Sequence, residues 1–224
     1  MAIEPPPGFR SSGEAPTGTR IVLIRHGEAD CNVAGRVGGP VGCTGLSDLG
    51  RRQADALRAR LAHTGELGDV AALYSSTLPR AMETLAIVAP ALPALPPQAD
   101  CDVCELHPGA ADGLTWDAMI EAFGGVDWDE DPEQVFSPGG ESWSGMSRRV
   151  KAALTRLGAR HEGQRIVVAT HGGVIEHALK WVQGCDDGVR LQLRTEHCSM
   201  MEIELTARGP QLLRYNDRAP LPAR

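Results

Sequence analysis

The sequence predicts an α/β fold with a mainly parallel central sheet, and three short apolar runs carry that prediction. The runs cover residues 21–24, 70–74 and 166–169. Each run is continuous, as is typical of strands that are buried on both faces of a parallel sheet. Segments with apolar residues at helical spacing lie between the runs. Strands that alternate with helices in this way predict a parallel sheet covered by helices.

Four helices are predicted from N-cap residues and from apolar side chains spaced three or four residues apart. In chain order they are a helix capped by Ser47 that ends near His63, a helix capped by Ser76 or Thr77 with Pro79 in its first turn, a long helix that begins at Ser142, and a helix over 174–182. Proline is compatible with a first turn because the backbone N–H that it lacks has no helical partner there.

The remaining elements are predicted from alternation and from proline content. Residues 200–205 alternate Met, Ile and Leu with glutamates, which predicts a strand with one face exposed. A last strand is expected around Leu212 and Leu213. Residues 90–99 contain four prolines, so we predict a connection there.

The length of 224 residues fits one domain, or one domain with an insertion. Residues 1–19 contain four of the 16 prolines and show little periodicity, so we expect a disordered N-terminal tail. A single α/β domain is expected over 20–217, with an insertion around 105–140. A short C-terminal tail is expected over 218–224.

The charge balance narrows the choice of partners. The chain has 22 Lys and Arg against 29 Asp and Glu, a formal net charge of −7. This balance argues against nucleic acid or an anionic membrane as the main partner. No apolar run reaches the length of a membrane-spanning helix, and the first residues lack the pattern of a signal peptide. We therefore expect a cytoplasmic protein that binds neither nucleic acid nor membrane. The sequence does not decide the oligomeric state, and a homodimer is one of the possible states.

The cysteines and the acidic segment 127–133 are the features that bear on metal binding. Six cysteines are too few for a disulfide scaffold in a chain of this length. Cys101 and Cys104 have CxxC spacing. A zinc site would need a second cysteine pair nearby, and the sequence has none. A redox pair would need a helix N-terminus beside it, whereas the flanking prolines predict a strand or loop. Segment 127–133 lacks the ligand alternation and the glycine of a calcium loop, which favours a solvated loop. We expect ordinary thiols, no metal and no cofactor, with a redox or metal protein as the alternative.

Two histidines and two arginines follow the three apolar runs. Arg25 and His26 follow the first run, Arg80 follows the second and His171 follows the third. Ligands of open α/β folds bind at the carboxyl ends of the strands, so we expect these four side chains to meet. Two guanidinium groups that converge on one point match the paired oxygens of a phosphate dianion.

These residue types are suited to phosphoryl transfer. A neutral imidazole can attack phosphorus and hold the group as phosphohistidine. A second, protonated imidazole can stabilise the equatorial oxygens. The departing alkoxide requires a proton donor, for which a carboxyl group with a raised pKa is suited. Arginine and imidazolium supply the positive charge, so this chemistry needs no metal.

Five sequence blocks carry these residues in one order between residues 20 and 217. They are Arg25-His26-Gly27-Glu28 with Asn32, Arg36 and Gly39; residues 74–84, which include Arg80; Glu105 with Gly109 and Trp116; residues 138–142; and residues 170–173. This order resembles the histidine phosphatase superfamily, also called phosphoglycerate-mutase-like, and its phosphatase branch in particular. The resemblance implies a three-layer α/β/α sandwich with a mainly parallel central sheet.

The resemblance also implies a catalytic role for each residue of the core. His26 would be the phosphorylated nucleophile. Arg25 and Arg80 would hold the phosphate, and His171 would stabilise the transferring group. Glu105 would act first as the general acid and then as the base that activates water.

Glu105 has two rival carboxylates when the sequence alone is considered. Glu83 looks like a helix residue within the second arginine block. Glu28 is so close to His26 in sequence that an orienting role suits it as well as proton transfer.

The resemblance assigns four further residues to a small phosphorylated substrate. Asn32 would contact the phosphate or orient the nucleophile. Gly38 and Gly39 would border the substrate pocket. Gly172 would offer a backbone N–H.

The family performs two reactions from one phosphohistidine intermediate, and the sequence favours one of them. A mutase returns the phosphoryl group to another hydroxyl, whereas a phosphatase transfers it to water. Residues 106–113 lack the Tyr-Gly pair that is typical of mutases after the glutamate. The predicted function is a metal-independent phosphomonoesterase that acts through phosphohistidine on a small phosphorylated metabolite. A phosphoglycerate-type phosphomutase and a phospho-ligand binding module without turnover are the alternatives.

Overall fold

A six-stranded sheet forms the centre of the computed structural model, which describes residues 18–219. In chain order the strands are β1 (Thr19–Arg25), β2 (Val70–Ser75), β3 (Pro97–Ala99), β4 (Arg165–Thr170), β5 (Met200–Thr206) and β6 (Gly209–Asp217). They lie side by side in the order β3-β2-β4-β1-β5-β6. The first four strands are parallel to one another, whereas β5 pairs antiparallel with both β1 and β6. The predicted α/β fold with a mainly parallel sheet is therefore confirmed.

Helices pack on both faces of this sheet. The α-helices are α1 (Asp30–Val33), α2 (Asp48–Thr64), α3 (Pro79–Val88), α4 (Trp116–Phe123), α5 (Trp143–Arg160) and α6 (Gly172–Gln183). One apolar core joins the sheet to α5 and α6, and the other joins it to α2 and α3. The result is the expected α/β/α sandwich. Among the helices within the described residues, none is both long and apolar enough to cross a bilayer.

The alternation of side chains along β1 explains why its apolar run is continuous. Ile21 and Leu23 belong to the core beside α5 and α6. Val22 and Ile24 belong to the core beside α2 and α3. Because successive side chains of a strand point to opposite faces, a strand covered on both sides needs apolar residues at every position.

Two of the predicted caps are confirmed. The Ser47 hydroxyl accepts a hydrogen bond from the Gly50 N–H at 3.1 Å at the start of α2. The Ser142 hydroxyl accepts one from the Gly145 N–H at 3.0 Å at the start of α5. In both helices the cap satisfies a backbone donor that the first turn leaves without an intrahelical partner.

The predicted cap of α3 is wrong. The helix begins at Pro79, and its N-cap is Leu78, which makes no side-chain capping bond. The Ser76 hydroxyl accepts from the Leu78 N–H at 3.1 Å and also contacts the His171 ring. Ser76 therefore stabilises the turn before α3 and contacts His171, and it does not cap the helix. A hydroxyl residue shortly before a proline is compatible with either role, so the sequence pattern did not distinguish them.

The expectation of a half-exposed strand at β5 is also wrong. Glu202 and Glu204 are buried. Glu202 lies 3.1 Å from both Arg165 and Arg214, and Glu204 lies 3.6 Å from Arg20. Buried carboxylates are tolerated only when a partner compensates their charge. Arginines on β1, β4 and β6 supply that charge here. The alternating glutamates of β5 thus belong to a layer of buried ion pairs and not to a face in contact with water.

Two further differences concern the connections. Residues 90–99 include the short edge strand β3, in which Pro97 is tolerated as the first residue. Thr19, expected to end the tail, is the first residue of β1. The remainder of the expected N-terminal tail, 1–17, and residues 220–224 of the expected C-terminal tail lie outside the described residues.

We expect Glu202→Ala to destabilise the fold, because Arg165 and Arg214 both lose their buried carboxylate partner. Within the described part of the chain, they keep only the more exposed carboxylates of Asp69, Glu66 and Asp217. The free energy of unfolding should fall by about 1–3 kcal/mol, the usual cost when a buried polar group loses a hydrogen-bonding partner. Urea denaturation followed by circular dichroism measures the change. Glu162→Ala, at an exposed position, is the control. Equal stability of the two variants would contradict the structural role of Glu202.

Candidate active site

Strand register brings the predicted residues to one edge of the sheet. Arg25 of β1 pairs with Thr170 of β4, so His26 and His171 come directly after paired positions. The His26 N–H donates to the Thr170 carbonyl at 2.9 Å. The two imidazole rings lie 5.1 Å apart between centroids. β2 pairs with the other side of β4 and leads into α3, which carries Arg80.

The His26 imidazole is buried and held from both sides. Its Nδ1 lies 2.6 Å from the Gly27 carbonyl, and its Nε2 lies 3.1 Å from Arg80 Nε. A carbonyl only accepts and a guanidinium only donates, so the proton must sit on Nδ1 and the lone pair on Nε2. The contacts thereby fix one tautomer.

The electrostatic environment keeps His26 uncharged. Burial lowers the pKa of His26 well below its ordinary value of 6.5, and the positive charges of Arg80 and Arg25 lower it further. The hydrogen bond to the Gly27 carbonyl opposes this shift. An imidazole that stays neutral at pH 7 retains the lone pair that nucleophilic attack requires.

Arg80 is positioned by backbone contacts as well as by His26. Its Nη1 donates to the Gly38 carbonyl at 2.6 Å. The Thr84 hydroxyl donates to the Arg80 carbonyl at 2.7 Å and accepts from the Gly27 N–H at 3.0 Å. Thr84 therefore ties the first turn of α3 to the chain after β1, which fixes Arg80 relative to His26.

Arg25 is the second cation of the site. Its Nη1 donates to the Thr195 carbonyl. Burial lowers the pKa of Arg25, while the negative charges of Glu105 and Glu196 oppose the shift. An arginine remains protonated at pH 7, so the site holds two guanidinium cations close to one neutral imidazole.

His171 is fully buried, and its state differs from the expected one. Its Nε2 lies 2.8 Å from the Ser76 hydroxyl, and its Nδ1 has no hydrogen-bond partner within residues 18–219. Burial lowers the pKa of His171 well below its ordinary value, and Arg80 adds to the shift. The second imidazole, which we expected to be protonated, is neutral in the site as it stands.

Glu105 faces the same cavity as His26. Its carboxylate accepts from the Gly173 N–H at 3.2 Å and from the Leu106 N–H at 3.1 Å. A side chain at Gly173 would displace the Glu105 carboxylate from its present position, so glycine leaves the space that the carboxylate occupies. The second residue of α6 therefore holds the carboxylate in place.

The two rival carboxylates are engaged elsewhere. Glu28 accepts from the Ser47 hydroxyl at 2.7 Å. Glu83 accepts from the Leu46 N–H and from Arg51 Nε, each at 2.7 Å. Neither lines the cavity that contains His26. The geometry thus favours Glu105 as the carboxylate of the site.

Two of the four predicted substrate-binding residues line the cavity. Asn32 and Gly38 do so, and the Asn32 side chain also accepts from the Ala29 N–H. Gly39 instead packs against Asp112, to which its N–H donates at 2.8 Å. Gly172 lies behind Arg25, where an added Cβ would come within 3.4 Å of the guanidinium. Gly39 and Gly172 thus lie outside the cavity lining and support residues that form the site.

His197 is a site residue that sequence reasoning missed. Its ring lies 5.7 Å from the His26 ring. Burial and Arg25 lower the pKa of His197 to about 4, so it too is neutral. It follows a stretch of irregular chain after α6, and no periodic pattern in the sequence indicates where that stretch leads.

Neither the cysteine pair nor the acidic residues of segment 127–133 line the cavity that contains His26. Cys101 and Cys104 are free thiols with Sγ atoms 2.9 Å apart. The acidic residues of segment 127–133 are exposed, as expected of a solvated loop. Within residues 18–219, no group of three or more His, Cys, Asp or Glu side chains is arranged to hold a metal ion.

Comparison with known proteins identifies the family. Residues 21–218 match the family model of the histidine phosphatase superfamily (branch 1), which confirms the resemblance seen in the sequence. The bifunctional protein Rv2228c of Mycobacterium tuberculosis is 32% identical over 223 residues, covering 96% of this chain and 58% of that protein. The chain thus spans less than two thirds of that relative.

Two further similarities concern proteins named as phosphatases. A metal-independent phosphoserine phosphatase of Arabidopsis thaliana is 34% identical over 166 residues, which cover 70% of this chain and 66% of that protein. A mycobacterial glucosyl-3-phosphoglycerate phosphatase, solved with VO3, superposes with a TM-score of 0.73 at 25% identity. That superposition covers 88% of this chain and 99% of the solved one.

The buried histidines predict that the fold loses stability as the pH falls below about 6.5. His26, His171, His177 and His197 have lowered pKa values in the folded state, with those of His177 and His197 at about 3 and about 4. In the unfolded chain they bind protons near pH 6.5, so the unfolded state takes up more protons across this window. Each contributes up to about 1.4 kcal/mol per pH unit.

Urea denaturation at pH 7.0 and pH 5.5 measures this effect. We expect the free energy of unfolding to be lower at pH 5.5 by about 2 kcal/mol or more, since several histidines contribute. His63→Gln, at an exposed position, should leave the pH dependence unchanged. A stability that is equal at the two pH values would show that the buried histidines are not held neutral.

Proposed function

Because the chain belongs to the histidine phosphatase superfamily, we propose that it is a phosphoric monoester hydrolase. It acts through a phosphohistidine at His26, without a metal, on a small phosphorylated metabolite. The observation that carries this proposal is the single tautomer of His26, whose Nε2 lone pair points at Arg80. The similarity to a protein named metal-independent phosphoserine phosphatase supports hydrolysis.

Substrate binding would expose the nucleophile. In the present structure Arg80 Nε donates to His26 Nε2. A phosphate dianion that enters between Arg25 and Arg80 offers stronger, charge-assisted acceptors to both guanidinium groups. The Nε2 lone pair is then released from Arg80 and lies next to phosphorus. Binding of phosphate to the two guanidinium groups therefore also frees the nitrogen atom that attacks phosphorus.

Phosphoryl transfer to His26 forms the Nε2–P bond and breaks the ester P–O bond. The phosphorylated ring carries a positive charge with a proton on Nδ1, and the Gly27 carbonyl already accepts that hydrogen bond. The departing alkoxide takes a proton from the Glu105 carboxyl group. Glu105 lines the same cavity and is held by the Gly173 N–H, which fits a group that hands over a proton at a defined position.

Hydrolysis then reverses the proton path. The Glu105 carboxylate takes a proton from water, the resulting hydroxide attacks phosphorus, and the P–Nε2 bond breaks. His26 returns to the neutral tautomer, and inorganic phosphate leaves. A nearby dianion favours the charged form of an imidazole, so the pKa of His171 rises when phosphate is bound. His171 then stabilises the transferring group, as the family resemblance implies.

We expect His26→Ala to abolish phosphate release and the acid-labile phosphoryl label on the protein, because the attacking atom is removed. Phosphate release from ethyl phosphate and acid-sensitive ³²P incorporation measure the two effects. The assays contain EDTA, which should have no effect on the unaltered protein. Circular dichroism checks the fold, and His63→Ala is the matched control at an exposed position. Turnover by folded His26→Ala protein would refute the proposal.

The Glu105→Gln variant tests the proton donor. Formation of the phosphoenzyme from ethyl phosphate should slow by about 10²- to 10⁴-fold, the usual contribution of a general acid. Formation from 4-nitrophenyl phosphate should slow far less, because nitrophenolate leaves without a proton. Rapid quench measures both rates. Glu83→Gln is the control, and an equal effect of Glu105→Gln on the two substrates would exclude Glu105 as the donor.

A further inference from the structure

We propose that the alcohol portion of the substrate is a flat, uncharged aromatic group. The site would then act on monophosphates of arylalkyl or heteroarylalkyl alcohols rather than on small polar phosphates such as phosphoserine. This inference rests on the proposed hydrolase function, because it concerns the cavity in which His26 and Glu105 lie.

An aromatic wall forms one side of that cavity. We define it as Trp116, Trp128, Phe136 and Trp143, all of which line the cavity. The rings contact one another in series, with centroids 5.9 Å apart for Trp116 and Phe136, 5.9 Å for Phe136 and Trp128, and 5.3 Å for Trp128 and Trp143. The chain has only nine aromatic residues of the Phe, Trp and Tyr types, so four of them at one cavity mark a specialised surface.

Part of this apolar surface is exposed within the described residues. Trp116 is 50% exposed and Ile120, one turn further along α4, is 53% exposed, yet both line the cavity. Met119 between them is buried. Exposed apolar side chains beside a reaction centre gain free energy when an apolar ligand covers them, and aromatic rings add a preference for stacked or edge-to-face partners.

The charges of the cavity argue against a small carboxylate substrate. Apart from Arg25 and Arg80, its cationic lining residues within the described chain are Arg36 and Arg190. Arg36 donates to the Gly113 carbonyl at 2.9 Å. Arg190 pairs with Asp129 at 3.7 Å, and its guanidinium lies 5.6 Å from the centre of the Trp143 ring. Both arginines are exposed, so the described lining holds no buried cation, apart from those of the phosphate site, that is set aside for a substrate carboxylate.

The volume of the cavity points the same way. It measures about 560 Å³, which is within the range of sites that enclose ligands of drug-like size. A substrate with its phosphate at His26 and a short polar alcohol portion would leave the aromatic wall exposed to water. A bicyclic ring system joined to the phosphate by a short alkyl link would cover it.

Three substrates with the same type of leaving group test the inference. They are 2-(1-naphthyl)ethyl phosphate, ethyl phosphate and O-phosphoserine, all of which release a primary alkoxide. Their intrinsic reactivities are therefore similar, and differences in kcat/KM report recognition of the alcohol portion. We expect kcat/KM to be at least about 10-fold higher for the naphthylethyl ester than for the other two, as contact with several rings allows.

Two variants on α4 test whether this preference arises from the exposed apolar side chains of the cavity. Trp116→Ala should lower the ratio of kcat/KM between naphthylethyl and ethyl phosphate by about fivefold, chiefly by raising KM for the naphthylethyl ester. Ile120→Ala should lower the ratio in the same direction. Phe123→Ala is the matched control, because Phe123 is on α4 and 38% exposed but does not line the cavity.

The outcomes separate the two proposals. Hydrolysis of O-phosphoserine or ethyl phosphate at least as efficient as that of the naphthylethyl ester would overturn the aromatic assignment and leave the hydrolase intact. An unchanged ratio in Trp116→Ala and Ile120→Ala would overturn it as well. Absence of phosphate release from all three esters would overturn the hydrolase function and the substrate assignment together.

Discussion

The hydrogen bond from His26 Nδ1 to the Gly27 carbonyl is the constraint on which the site depends. It places the single proton of a neutral imidazole on one nitrogen and leaves the lone pair on the other, where Arg80 donates to it. Either contact alone would leave room for ring rotation or for a change of tautomer. Together with burial and two neighbouring cations, which both disfavour a charged ring, they hold an uncharged nucleophile.

The rest of the fold maintains this arrangement. Continuous apolar runs bury β1 and β4 between two helical layers, and the register of these strands sets His26 beside His171. Thr84 then links the start of α3 to the chain after β1. Arg80, on the helix that follows β2, is thereby held against the His26 ring. The buried arginine–glutamate layer around Glu202 fixes the antiparallel side of the sheet. Packing and ion pairing thus supply the rigidity that a preorganised site requires.

The sequence was informative where periodicity or a local motif decides the structure. Apolar runs predicted β1, β2 and β4, and the residues directly after them predicted where His26 and His171 meet. It was misleading for β5, because an alternating pattern cannot distinguish glutamates in water from glutamates beside arginines on another strand. His197, Trp128, Phe136 and Trp143 were not predicted as site features. Irregular chain brings His197 beside His26, and tertiary packing brings the three aromatic rings to the cavity. The neutral state of His171 depends on burial, which spacing does not reveal.

The atom that carries phosphorus tests the central claim most directly. The protein, labelled with ¹⁵N in its histidine rings, is mixed with substrate and quenched in alkali, under which phosphohistidine persists. The phosphorus–nitrogen coupling in the isolated peptide then identifies the bonded nitrogen. We predict phosphorus on Nε2 of His26, because Nδ1 is bound to the Gly27 carbonyl. Phosphorus on Nδ1 of His26, or on His171 or His197, would contradict the account.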